Sequence, residues 1–293
     1  MLPRFSPRPA VAAAVLAAVC STLAFGTPLA NAETWAERLG FPAGSRVVVL
    51  HANELGMSYE TNAAGTRLLK SGLVSSASAM APAPWFGDLA EWAKANPNAD
   101  VGLELTLNSE FPTYRWQPVA SDGLVPSLAD PAGFLWRTPI QTMVNATPED
   151  VERELRAQIQ RAKEAGLQPS HFTTHLGTLV TRPDLIEVYL RIARQEWIPA
   201  MVVELRFVAD AESYEAKKQA FLKTLRELQP GITQIAFHPA VESDALKRIT
   251  PDWQQRVWDA QLLADPDVKQ ALESSGIIIT NWRELMKRFE GTP

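Results

Sequence analysis

The chain has 293 residues, 46% of them hydrophobic, and a formal net charge of −5. That length fills one large domain with a full core, or two small ones. It carries no basic stripe, which sets nucleic acid aside as a partner.

At the N-terminus, Arg4 and Arg8 precede an alanine-rich apolar stretch and then Ala30-Asn31-Ala32. A basic region, an apolar run and a small-x-small site, in that order, read as a signal peptide over residues 1–32. Residues 33–293 then form a single domain. The alternative is an uncleaved anchor, for which the apolar run is short. Cleavage takes away two arginines and no acid, leaving 26 basic against 33 acidic side chains, a net charge of −7. It also removes Cys20, the one cysteine. The expected protein is exported, periplasmic or extracellular, with no stable membrane insertion after cleavage and no disulfide. Any metal it holds must use His, Asp or Glu. Its oligomeric state stays open.

From residue 46 onward, β-branched apolar runs alternate with helical patterns. The predicted strands are 46–51, 73–80, 100–107, 171–176, 200–204, 232–238 and 276–281. Runs such as Val47-Val48-Val49-Leu50 and Ile277-Ile278-Ile279 are apolar on both faces, as parallel strands covered by helices are. The predicted helices are 59–71, 84–95, 148–166, 183–196, 212–228, 251–274 and 282–290. Thr147-Pro148-Glu149-Asp150 supplies a cap, a first-turn proline and early acids. Such alternation implies an α/β fold, and about seven strands in one run fit a single barrel-like sheet. An open doubly wound sheet is the alternative, and no glycine-rich phosphate loop supports it.

Between Leu107 and Pro148 lie about forty residues with little periodicity, a length that is usually functional or disordered. Tyr114-Arg115-Trp116 and Phe134-Leu135-Trp136-Arg137 argue for order. Tyr114, Arg115, Trp116 and Trp136 are therefore candidates for a substrate-binding wall. Packing over the barrel end is the competing reading.

In α/β barrels the chemistry sits at the carboxyl ends of the strands. Strand one ends in His51, Asn53 and Glu54, strand four in His175, strand five in Glu204 and strand six in His238. The fourth histidine, His171, opens strand four and belongs at the opposite end. Alternation on strand three places Gly102, Glu104 and Thr106 on the face opposite Val101, Leu103 and Leu105. Glu104 thus points into the barrel mouth, where it needs a cation or hydrogen-bond donors. Glu54, Glu104 and His175 make a plausible metal set with positions left for water. It suits one divalent ion such as Zn, Mg or Mn. A salt bridge without metal is the alternative for Glu104. His51 and Glu204 are the polar candidates for contacting substrate.

"LHANELGMS", "GLVSSASAM", "DVGLELTLNSE", "HFTTHLGTL" and "IAFHPA" stand in the order and spacing of a known family. From about Arg46 to Phe289 the chain resembles the YdjC-like (ChbG-type) carbohydrate deacetylases. The resemblance implies a distorted TIM-like barrel that removes N-acetyl groups from chitooligosaccharide-type sugars. It implies one divalent metal held by an Asp and two His. The family shows two adjacent acids, base then metal ligand, where this chain has Asn53 and Glu54. It has His at position 104, and Asp-Ser-His where this chain has Thr173-Thr174-His175. His175 and His238 are kept.

A carboxamide at Asn53 cannot accept a proton near neutral pH. Two functions follow. In the first, an exported metal-dependent deacetylase of acetylated carbohydrate uses Glu54, Glu104 and His175 as ligands. There Asn53, Glu54 and His238 are the catalytic candidates: His238 protonates the leaving group, and Glu54 or solvent takes the water's proton. In the second, a non-catalytic protein of the same fold binds glycan.

Overall fold

The apolar runs of the sequence become strands, and every pairing between them is parallel. The computed structural model describes residues 33–198 and 203–291. In chain order it runs α1 (Trp35–Arg38), β1 (Arg46–Leu55), α2 (Tyr59–Lys70), β2 (Ser76–Ala79), α3 (Phe86–Ala95), β3 (Val101–Leu105), α4 (Pro139–Asn145), α5 (Pro148–Glu164) and β4 (Phe172–Thr174). A 3-10 segment, His175–Val180, follows. Then come α6 (Pro183–Gln195), β5 (Glu204–Phe207), α7 (Tyr214–Glu227), β6 (Gly231–Phe237), α8 (Asp244–Ile249), α9 (Trp253–Leu263), α10 (Pro266–Ser274), β7 (Ile278–Ile279) and α11 (Trp282–Glu290). The residues of the expected leader, 1–32, lie outside the described residues. Among those described, no helix is long and apolar enough to cross a membrane.

The strand order is β4-β3-β2-β1-β6-β5. β7 pairs with Val47 and Val48, on the edge of β1 that β2 takes over from His51 onward. Among the described residues no pairing joins β4 to β5, so the sheet curls into a half-barrel, a distorted relative of the TIM barrel. The faces of β1 divide the core. Val48, Leu50 and Ala52 join the large apolar cluster with Leu68, Leu89, Leu155 and Leu185 of the covering helices. Val47 and Val49 point the other way, and Ala36, Phe41, Trp282 and Leu285 close over them. α1 and α11 thus seal the amino-terminal end of the barrel and leave the carboxyl end free.

Three expectations need correcting. The single helix over 251–274 is two, because Asp265 caps a new helix that begins with Pro266, and α8 precedes them. The long connection after β3 contains α4, capped by Thr138 with Pro139 in its first turn. Among the described residues strand five is Glu204–Phe207; residues 200–202 of the expected 200–204 lie outside the described residues. Glu204 therefore opens the strand, opposite Thr233 near the start of β6, and lies at the far end from the mouth.

Candidate active site

The site begins with an irregularity in β1. Between Ala52 and Leu55 this strand carries one more residue than β2, and Glu54 takes a left-handed φ of 60°. In a regular strand Glu54 would share the outward face of Ala52. The bulge turns its carboxylate into the mouth instead.

Three residues meet there as the sequence predicts. Glu54, Glu104 and His175 each offer one ligand atom, all within 4.8 Å of one another, and all three are buried. Glu104 Oε2 accepts from the Glu54 backbone N–H at 2.7 Å and from Ser78 Oγ at 3.0 Å. Glu104 Oε1 lies 3.0 Å from His175 Nδ1. The opposite nitrogen, His175 Nε2, faces Glu110 at 3.1 Å. Burial lowers the His175 imidazole, but Glu110 and Glu104 outweigh it and push the group well above its ordinary value. Two carboxylates and an imidazole whose far nitrogen rests on a third carboxylate form a donor set that fits a divalent cation.

A cation from α9 stands beside the cluster. Arg256 Nη1 lies 2.7 Å from Glu54 Oε2, a close charge contact rather than a well-aligned hydrogen bond. Burial raises the Glu54 carboxyl, yet Arg256, His238 and His175 together hold it down at about 2. Glu54 is thus an anion across the working pH range. His238 Nε2 stands 3.7 Å from Glu54 Oε1, and its ring stacks on Phe207 at 6.1 Å. The His238 backbone N–H donates to Asp259, whose other oxygen is 2.8 Å from the buried Lys217 ammonium.

Asn53 belongs to a different network. Its side chain meets His51 Nδ1 at 2.7 Å, and His51 Nε2 meets His171 Nε2 at 2.8 Å. His171 Nδ1 then reaches Ser170 Oγ at 3.0 Å, with Asp100 beyond it. His51 is fully buried and both ring nitrogens are engaged, which leaves it no face for substrate. Burial, followed by the charge of His171, holds His51 well below its ordinary value and so neutral. His171 lies one residue before β4, near the end opposite the mouth, yet its ring reaches inward to β1. Gly102 makes the room, since a Cβ there would fall 2.4 Å from the His171 carbonyl oxygen.

The loop residues proposed as a wall are mostly internal. Trp116 is buried, donates from Nε1 to Asn108 O at 2.9 Å, and backs the His175 ring at 6.5 Å. Trp136 is partly buried with Nε1 on Ser127 O. Arg115 spends its guanidinium on Asp130, Ser109 O and Leu135 O. The Tyr114 hydroxyl donates to Met57 O at 2.9 Å, and burial followed by the Glu60 charge pushes it up to about 12. Glu204 is exposed and pairs with Arg206 at 2.5 Å away from the mouth.

Glu110 and Arg256 escape a reading by strand ends. Glu110 sits beyond β3 in a stretch without periodicity. Arg256 reaches the mouth from a helix, and only its long side chain brings it there. Of the three candidate ligands, strand alternation aims only Glu104; the bulge aims Glu54, and His175 lies just past the end of β4.

A family model for YdjC-like proteins matches residues 47–274. The chain is 32% identical over 262 residues to a carbohydrate deacetylase of Thermus thermophilus, covering 80% of this chain and 92% of that one. It is 22% identical over 251 residues to a carbohydrate deacetylase of Thermoanaerobacter pseudethanolicus, covering 81% and 98%. In fold it matches the crystal structure of an Enterococcus faecalis protein proposed to cleave cellobiose phosphate. The TM-score is 0.71 at 24% identity, over 82% of this chain and 99% of that one. With a matched span that takes in every strand from β1 to β6 and all three candidate ligands, the chain belongs to the YdjC-like family.

Proposed function

We propose that the protein is a hydrolase that removes acetyl groups from a carbohydrate. The observation that carries this is the buried Glu54, Glu104 and His175 set beside His238 at the open end of the barrel. The names of its relatives supply the substrate class.

One divalent ion, Zn, Mg or Mn, held by those three residues would supply Lewis-acid polarisation of the acetyl carbonyl and of the attacking water. The chain's own groups move the protons. Glu54, held at about 2, is a fixed anion and takes no proton at neutral pH. Asn53 has no basic site. Glu110 is about a quarter exposed, and its carboxylate keeps lone pairs beyond those facing His175. It accepts the proton of the water whose oxygen bonds to the acetyl carbon. His238 Nε2–H donates to the leaving nitrogen or oxygen as the bond to the acetyl carbon breaks. Glu110 and His238 then reset by exchange with solvent. The Phe207 stack and the Asp259 bond to its backbone hold the His238 ring at the mouth.

The decisive assay incubates the protein with each divalent metal and acetylated oligosaccharides and measures released acetate. We expect release that a His175→Ala control lacks. No acetate above that control, across metals and substrates, overturns the hydrolase and leaves a glycan-binding protein. Export is part of the same reading and rests on the sequence of residues 1–32.

A further inference from the structure

The loops after β1 and β2 carry two aromatic side chains that the fold does not use. Tyr59 opens α2, five residues beyond Glu54, and is 55% exposed; Trp85 precedes α3 and is 39% exposed. Their ring centroids lie 5.5 Å apart at 62°, an edge-to-face pair. Both stand at the carboxyl ends of adjacent strands, on the same side of the barrel as the Glu54 cluster.

The segment beneath them is rigid. Trp85 N–H donates to Gly56 O at 2.9 Å, two residues from Glu54. The buried Asn62 accepts from Gly56 N–H at 2.6 Å and donates to Trp85 O at 3.0 Å and to Asp88 Oδ2 at 2.8 Å. Gly56 has a φ of 87°, and a Cβ there would lie 3.2 Å from Phe86 Cα, so the two loops touch backbone to backbone. A buried polar clamp thus fixes the backbone that carries the two exposed rings beside the mouth.

We propose that Tyr59 and Trp85 form a stacking platform for a sugar ring next to the one that is deacetylated. This rests on the hydrolase reading for its substrate class. A pyranose presents apolar C–H faces and a polar rim. Rigid aromatic faces beside a few placed polar groups bind such a surface at little entropic cost. The two rings need no countercharge, which suits a neutral glycan on a protein of net charge −5.

Calorimetric titration of the full chain, without added metal, tests the platform separately from catalysis. The probes are the β-1,4-linked tetramers of N-acetylglucosamine and of glucose, with N-acetylglucosamine monomer as reference. We expect a tetramer to bind, and Tyr59→Ala and Trp85→Ala each to weaken it on the order of tenfold. Tyr59→Phe and Trp85→Phe should retain most of the affinity. Melting temperatures should stay within about 2 °C of wild type, since neither ring is buried. Unchanged tetramer affinity in both alanine variants overturns the platform, as does failure of wild type to bind either tetramer. Stacking-dependent binding without any acetate release would sink the hydrolase and leave the platform standing.

Discussion

Asn53 and Glu54 are neighbours in the chain and members of different networks, one facing His51 and the other Arg256. In the proposed mechanism the proton-accepting role that Asn53 cannot fill falls to Glu110. Glu110→Gln should lower kcat about 10²–10⁴-fold while bound metal, measured by elemental analysis, is retained. Equal turnover in the variant would remove Glu110 from the chemistry. Glu104→Gln should instead lower metal content below stoichiometric, because it removes one of the two carboxylate charges that attract the ion. His51 bears on stability. Its folded pKa lies below its unfolded value of 6.5, so the unfolded chain binds more protons as pH falls. Its contribution is fully present above pH 6.5 and is lost as pH drops toward the folded pKa. Urea denaturation between pH 5 and 8 should show this slope in wild type and a shallower one in His51→Gln.

Among the elements, β3 shows what the sequence reveals and what it hides. Its alternation was enough to aim Glu104 inward, and the doubly apolar runs were enough to predict β1 and a parallel sheet. Nothing in that pattern announces the bulge at Glu54, because an extra residue in a strand leaves composition unchanged. Apolar periodicity continues across Asp265-Pro266 and so reads as one helix over 251–274, although the cap and proline together mark the break. The loop after β3 was legible as ordered but not as scaffold, since an aromatic side chain has the same letter in a core and in a binding wall. Trp116→Ala should cost on the order of 3–5 kcal/mol, as removal of a buried indole does. Gly102→Ala should cost about 3 kcal/mol, through overpacking against the His171 carbonyl. Chemical denaturation checks both. A near-neutral Trp116→Ala would return that ring to the list of ligand contacts.

At the scale of the whole molecule, an amino-terminal end closed by α1 and α11 opposes a mouth left open for substrate. The proposed export predicts a mature chain beginning at Glu33, which mass spectrometry of the protein from its producing cells checks; an intact N-terminus would favour an anchor. Between the two ends runs the file Asn53, His51, His171, Asp100, and its hydrogens are countable. Ser170 gives its one hydroxyl hydrogen to Asp100 at 2.6 Å, so His171 must give its own from Nδ1 to Ser170. The facing Nε2 atoms share one more hydrogen. If Asn53 offers its carbonyl to His51, the two rings must carry three hydrogens and a positive charge between them. If it offers its NH₂ group, two suffice and the file is neutral. An acid at position 53 has no hydrogen to give once ionised and would force the first arrangement. The carboxamide permits the second, and so lets a barrel interior go without an internal cation. Nitrogen-15 resonances of the two imidazoles distinguish the cases: four ring nitrogens with three protonated mark the charged file, and two protonated mark the neutral one.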